Sequence, residues 1–197
     1  MKKEKEIKIK ETERVKYENI VKDDNLILRE VSKELEYPLT KENKLIMKKM
    51  IDYVRRSQES QNVDEYRPAY GISAIQLGFP KKMFYIRIVD DLHDTKEEYA
   101  LINPIIIKKS DDKVFLDGGE GCLSVVKDYK GYIYRPNQII IQAIDYFSDR
   151  EIEITARGLI SIVIQHEYDH LLGVLFYDRI NKLDPFFKIK NATKIKS

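Results

Sequence analysis

Residues 158–173 read Gly-Leu-Ile-Ser-Ile-Val-Ile-Gln-His-Glu-Tyr-Asp-His-Leu-Leu-Gly. The first half is apolar on nearly every side, so a helix formed here is buried all round. Gly173 supplies the left-handed residue at which helices commonly stop. The stretch therefore predicts a buried helix from Gly158 to about Leu172. His166 and His170 stand four residues apart on it, which places both imidazoles on one face, about 6 Å apart at Cβ. That spacing suits two ligands on one metal ion. Glu167 is adjacent, near enough to act on a metal-held water without being a ligand. Two histidines at this spacing also occur on plain amphipathic helices. Here only three histidines exist in the chain, and two of them fall in this motif.

Around this helix the patterns change period. Pro38-Leu39-Thr40 opens a helix predicted over 41–58, with Thr40 as N-cap and Glu42 in the first turn. Ile46, Met47, Met50, Ile51 and Val54 fall on one face of it. Met83–Val89, Tyr99–Ile107, Ile139–Tyr146 and Glu151–Thr155 read as strands, the last two joined by a turn at Phe147-Ser148-Asp149-Arg150. The fold class expected is α+β: short antiparallel strands packed around a buried central helix that carries the His-Glu-x-x-His motif.

A catalytic metal typically has three protein ligands and an open position. After His170 the chain contains no His and no Glu; Asp178 and Asp184 are the only carboxylate side chains. The third ligand therefore lies upstream. His93 is one choice, but Asp90, Asp91 and Asp94 around it read as an exposed loop. Cys122 is the better one, a soft thiolate. A lone cysteine is usually a small buried hydrophobe. Gly118, Gly119 and Gly121, three of the eight glycines in the chain, argue instead for a close approach by a ligand.

Composition sets the bounds. The 197 residues suit one domain. With 35 basic against 33 acidic residues the formal charge is +2, too small to imply a nucleic-acid surface. No apolar run approaches the roughly 20 residues that span a bilayer, and the N-terminus lacks the apolar stretch of a signal peptide. One cysteine forbids an internal disulfide, which fits a reducing, cytoplasmic location. Residues 1–23 are charge-dense and read as an N-terminal extension. Residues 186–197, with Lys188, Lys190, Lys194 and Lys196, read as a basic, solvated C-terminal tail. Residues 24–185 are left as the catalytic domain.

Glu120-Gly121-Cys122-Leu123-Ser124 followed by Gln165-His166-Glu167-Tyr168-Asp169-His170 resembles the two strongest motifs of the peptide deformylases, in their order. The family's third motif, Gly-φ-Gly-φ-Ala-Ala-x-Gln, reads here Ala69-Tyr70-Gly71-Ile72-Ser73-Ala74-Ile75-Gln76. Ala69 replaces its first glycine and Ser73 its first alanine. The resemblance spans about residues 24–185, including Asn103-Pro104 and Gly173 to Asp178. The long segment before Gly71 and the residues between Cys122 and Arg135 look more like the type-2 form of Gram-positive bacteria and mycoplasmas.

The resemblance implies a hydrolase that removes the formyl group from the starting methionine of new proteins. Cys122, His166 and His170 would hold one divalent ion, with Fe²⁺ the ion many deformylases use best and Zn²⁺, Ni²⁺ or Co²⁺ as alternatives. Glu167 would be the base, and the Gln76 amide and Leu123 N–H would steady the oxyanion. Leu159, Ile162 and Val163 precede His166 by seven, four and three residues and share its face; the family makes them, with Tyr70, the methionine pocket, where the plain reading is core. The substrate would lie as an added strand against Tyr70-Gly71 and Gly121. Glu120 and Arg135 would stand behind the ligands, the competing reading being a surface ion pair. The implied partners are N-formylmethionyl nascent peptides and, transiently, the ribosome, with no direct nucleic-acid binding, no membrane and a monomeric state. Two other functions compete: a zincin-like endopeptidase, which lacks its downstream ligand here, and a nucleic-acid or ribosome-binding module using the basic tail.

Overall fold

The computed structural model describes residues 12–59, 61, 63–90 and 95–196. Helix α1 (Lys41–Glu59) begins where the sequence places it, with the Thr40 hydroxyl accepting from the Asn43 N–H at 3.2 Å. Ile46, Met47, Met50, Ile51 and Val54 are all buried. Then come β1 (Gly71–Ser73), β2 (Met83–Asp90), β3 (Thr95–Lys109), β4 (Lys113–Leu116), β5 (Arg135–Pro136), β6 (Gln138–Asp145) and β7 (Arg150–Arg157). Helix α2 (Gly158–Leu171) follows, and β8 (Thr193–Ile195) ends the chain. Gly173 has φ +71° and stops α2; a Cβ there would lie 2.4 Å from the Arg29 carbonyl oxygen, so only glycine fits.

A five-stranded sheet runs β1-β2-β3-β6-β7, every neighbouring pair antiparallel. Strand β2 explains how the layers are built. Its side chains alternate: Met83 and Tyr85 face the cluster built on α1, while Phe84, Ile86 and Ile88 face the cluster that holds Val163, Ile164 and Leu171 of α2. The strand is apolar on both faces because each face is covered by a helix. On its far side α2 meets β4 and β5, so it lies between the large sheet and a three-stranded sheet ordered β5-β4-β8. Among the described residues no helix is long and apolar enough to cross a membrane.

Three features depart from the sequence reading. The pairing is not antiparallel throughout, since β8 runs parallel to β4. That same strand lies in the segment read as a solvated tail: Leu116 pairs with Ile195, and the Asp117 N–H donates to the Ile195 carbonyl at 3.0 Å. Within the segment read as an extension, Val15 and Ile20 join the α1 core, and Val21 packs with Leu28 and Ile75. One apolar residue and one apolar pair in a polar stretch are too few to show a period.

Candidate active site

Helix α2 brings His166 and His170 to one face with ring centroids 5.1 Å apart. From the loop after β4, Cys122 places its Sγ 3.3 Å from His170 Nε2. The ligand atoms of Cys122, His166 and His170 all lie within 4.8 Å of one another. His93, the rival third ligand, lies outside the described residues. His166 Nδ1 is 2.9 Å from Glu120 Oε2, which leaves Nε2 for the cluster. Burial works against a charge on His166, yet Cys122 and Glu120 overcome it and hold its pKa well above the ordinary value. Burial and the neighbouring His166 push His170 well below, which favours the neutral imidazole. A cysteine sulfur and two imidazoles, convergent and mostly buried, fit a divalent first-row ion.

Behind Cys122, His166 and His170 runs a chain of charges, buried except for Arg179. Arg135 Nε and Nη2 donate to both oxygens of Glu120, at 2.6 and 2.8 Å, and Nη1 donates to Asp169 at 2.9 Å. Arg179 closes on Asp169 from the other side. The Arg135 and Glu120 side chains are only 3% and 4% exposed, so this is no surface pair. Burial alone would raise the Glu120 pKa, but the Arg135 guanidinium, with His166, holds it down to about 2. Glu120 is therefore a fixed anion that orients His166.

Glu167 is buried, and burial, partly offset by His166 and by a hydrogen bond from Ser73, pushes its pKa up to about 7. The Ser73 hydroxyl donates to Glu167 Oε2 at 2.6 Å. A Cβ on Gly71 would come within 2.8 Å of Glu167 Oε1. Gln76 is aimed by its own turn: Oε1 accepts from the Ser73 N–H at 2.8 Å, and Nε2 points to Ser124 Oγ (3.1 Å) and Cys122 Sγ (3.6 Å). Among the described residues the Leu123 N–H has no hydrogen-bond acceptor.

These groups open into a cleft of about 290 Å³. Tyr70, Gly71, Gln76, Glu120, Gly121, Cys122, Leu123, Leu159, Ile162, Val163, His166 and Glu167 line it, while His170 and Arg135 lie behind. One wall is the outer edge of β1. The Arg87 N–H donates to the Tyr70 carbonyl at 2.7 Å across the sheet, and the antiparallel alternation then leaves the N–H and C=O of Gly71 on the free edge. The sequence reading missed the Ser73 hydroxyl, Asp169 and Arg179, and also Leu116 and Arg67, which line the cleft as well. Asp169 stood inside the quoted motif and carried a signal; Leu116 sits on a strand too short to show one.

The chain as a whole is similar to known proteins. The family model described as polypeptide deformylase matches residues 17–186. A peptide deformylase of Mycoplasma genitalium is 44% identical over 171 residues, 86% of this chain and 87% of that one. Peptide deformylase 2 of Bacillus cereus is 39% identical over 170 residues, covering 85% and 91%. Among solved structures, the peptide deformylase of Ehrlichia chaffeensis superposes with a TM-score of 0.68 at 31% identity, over 83% of this chain and 88% of that one. On the strength of a match that takes in the whole five-stranded sheet and α2, this chain belongs to the polypeptide deformylase family.

Proposed function

We propose that this protein removes the formyl group from N-formylmethionyl peptides, releasing formate, and that α2 is the central helix whose His-Glu-x-x-His face carries the chemistry. The observation that carries the reading is the convergence of Cys122, His166 and His170 with Glu167 at the floor of an apolar cleft beside an unpaired strand edge. Cys122, His166 and His170 would hold one divalent ion, which when bound supplies Lewis acidity toward water and the formyl oxygen. Glu167 takes the proton of the attacking water and delivers it to the leaving amine. The Gln76 amide and the Leu123 N–H donate to the developing oxyanion. Gly71 offers its free N–H and C=O to the substrate backbone, with Tyr70 and Gly121 flanking it. Leu159, Ile162 and Val163 receive the methionine side chain. The enzyme acts as a cytoplasmic monomer on chains leaving the ribosome.

The test is to mix purified, metal-replete protein with formyl-Met-Ala-Ser and assay formate. Formate release supports the reading. Cleavage of an internal peptide bond instead would favour an endopeptidase.

Fe²⁺ is the expected best ion. A thiolate and two imidazoles accept several first-row ions, and raw affinity favours Zn²⁺ over Fe²⁺; the preference for iron rests on the family resemblance. Apo-protein loaded anaerobically with Fe²⁺, Ni²⁺, Co²⁺ or Zn²⁺ should be fastest with Fe²⁺, and the iron form should lose activity in air as the metal and then Cys122 oxidise. Zn²⁺ matching fresh Fe²⁺ would overturn the choice of ion.

Gly71→Ala tests the closeness of the strand edge to the base. The added methyl meets Glu167 Oε1 and Cγ at 2.8 and 2.9 Å, so Glu167 must move. A displacement of about 1 Å at a reacting group costs on the order of 10²-fold in rate. Formate assays on the variant should show that loss with metal content unchanged; wild-type kcat would mean that Glu167 has room.

A further inference from the structure

Beyond the centre just described, the cleft carries one more charged side chain. Of its charged lining residues, Glu120 and Glu167 belong to the floor, and Arg67 stands at the mouth, exposed. Arg67 Nη1 donates to the Tyr17 hydroxyl at 3.1 Å, and its Cζ lies 5.7 Å from the Tyr17 ring centroid. Lys22 Nζ sits over the same ring at 3.5 Å and donates to the carbonyls of Tyr17 and Leu123, at 3.3 and 3.1 Å. Two cations therefore share one aromatic ring. Among the described residues neither forms an ion pair, while Glu65 close by is held by Lys16 at 2.8 Å.

The backbone under Arg67 is anchored. Tyr53 Oη donates to the Arg67 carbonyl at 3.2 Å, Gln58 Nε2 donates to the Ala69 carbonyl at 2.9 Å, and the Ala69 N–H donates to Ser57 Oγ at 3.3 Å. All three partners lie on α1, so the strand that leads into β1 is fixed before any ligand arrives.

Geometry sets which part of a peptide meets this arginine. The reacting end must lie where Gly71 touches Glu167. A peptide paired to the free edge at Gly71 and running antiparallel to β1 then leads away past Tyr70 toward Arg67, beyond the point where Ala69 is bonded to α1. At about 3.4 Å per residue, and with the reach of an arginine, its third to fifth residues pass the guanidinium. We propose that Arg67, backed by Lys22 across the Tyr17 ring, forms an anion-selective subsite at the cleft mouth that favours formylated peptides with acidic side chains beyond their second residue. This rests on the deformylase reading above.

The experiment compares kcat/KM for three C-terminally amidated peptides, formyl-Met-Ala-Xaa-Xaa with Xaa as Glu, Gln or Lys. Amidation removes the terminal carboxylate, so side-chain charge is the only variable. The wild-type enzyme should favour Glu over Lys by about fivefold, the range of an exposed charge pair, with the difference carried by KM. In about 0.5 M salt the ratio should fall toward one. Arg67→Glu should invert the order and Arg67→Gln bring it near one, with circular dichroism confirming that both fold. A wild-type ratio near one, or the same ratio in wild type and Arg67→Glu, overturns the subsite. No formate from any of the three peptides removes the deformylase reading itself, and the subsite with it.

Discussion

Replacing Glu167 by Gln is expected to leave the bound metal in place and to lower kcat by about 10²- to 10⁴-fold, the usual contribution of a positioned base. The amide keeps the size and planarity of the carboxyl and retains an oxygen for the Ser73 hydroxyl, which now donates to Oε2 at 2.6 Å. It cannot take up a proton. Elemental analysis and a formate assay on the same sample separate the two effects. Full metal content with kcat within about tenfold of wild type would remove Glu167 from the role of base.

The second large effect is expected at Arg135. Its guanidinium joins Glu120 and Asp169 while almost fully buried. Arg135→Met keeps most of the volume but leaves the buried Glu120 without its guanidinium partner, while Asp169 retains Arg179. Removing one partner of a buried pair costs about 3–5 kcal/mol, which urea denaturation would read. Glu120 would also lose the clamp that aims it at His166, and loss of such a supporting partner weakens metal binding by about 10- to 100-fold. A stability change under about 1 kcal/mol together with unaltered metal affinity would mean that the network behaves as an ordinary surface pair.

How much of this was legible beforehand follows from the physics of each element. The spacing of His166 and His170, the cap at Thr40 and the alternation around residues 83–89 are local patterns, and the structure has both helices and the four longer strands close to where those patterns put them. Strands β1, β4, β5 and β8 span two to four residues, too few to display a period of two. They form because long-range neighbours supply the missing hydrogen bonds. The site divides in the same way. The histidines and Glu167 announce themselves on one helix, and Cys122 follows from the need for a third ligand. That Ser73 reaches Glu167, across 94 positions in the chain, is written only in the tertiary arrangement. So is the position of Arg67, which sequence alone gives no reason to bring to the cleft.

The two-sided burial of β2 also bears on the order in which the chain assembles. Helix α1 and strands β1, β2 and β3 are close in sequence and can cover one face of the young sheet early, since nearby contacts close with little loss of entropy. The other face needs α2, which ends only at Leu171. Until then Phe84, Ile86 and Leu101 have no helix over them. A nascent chain arrested before α2 begins at Gly158 presents a bare apolar sheet face and lacks both histidines of the candidate metal site. Such truncated chains should be sticky, bind no metal through this cluster, and depend on chaperones or proteolysis until the last helix emerges.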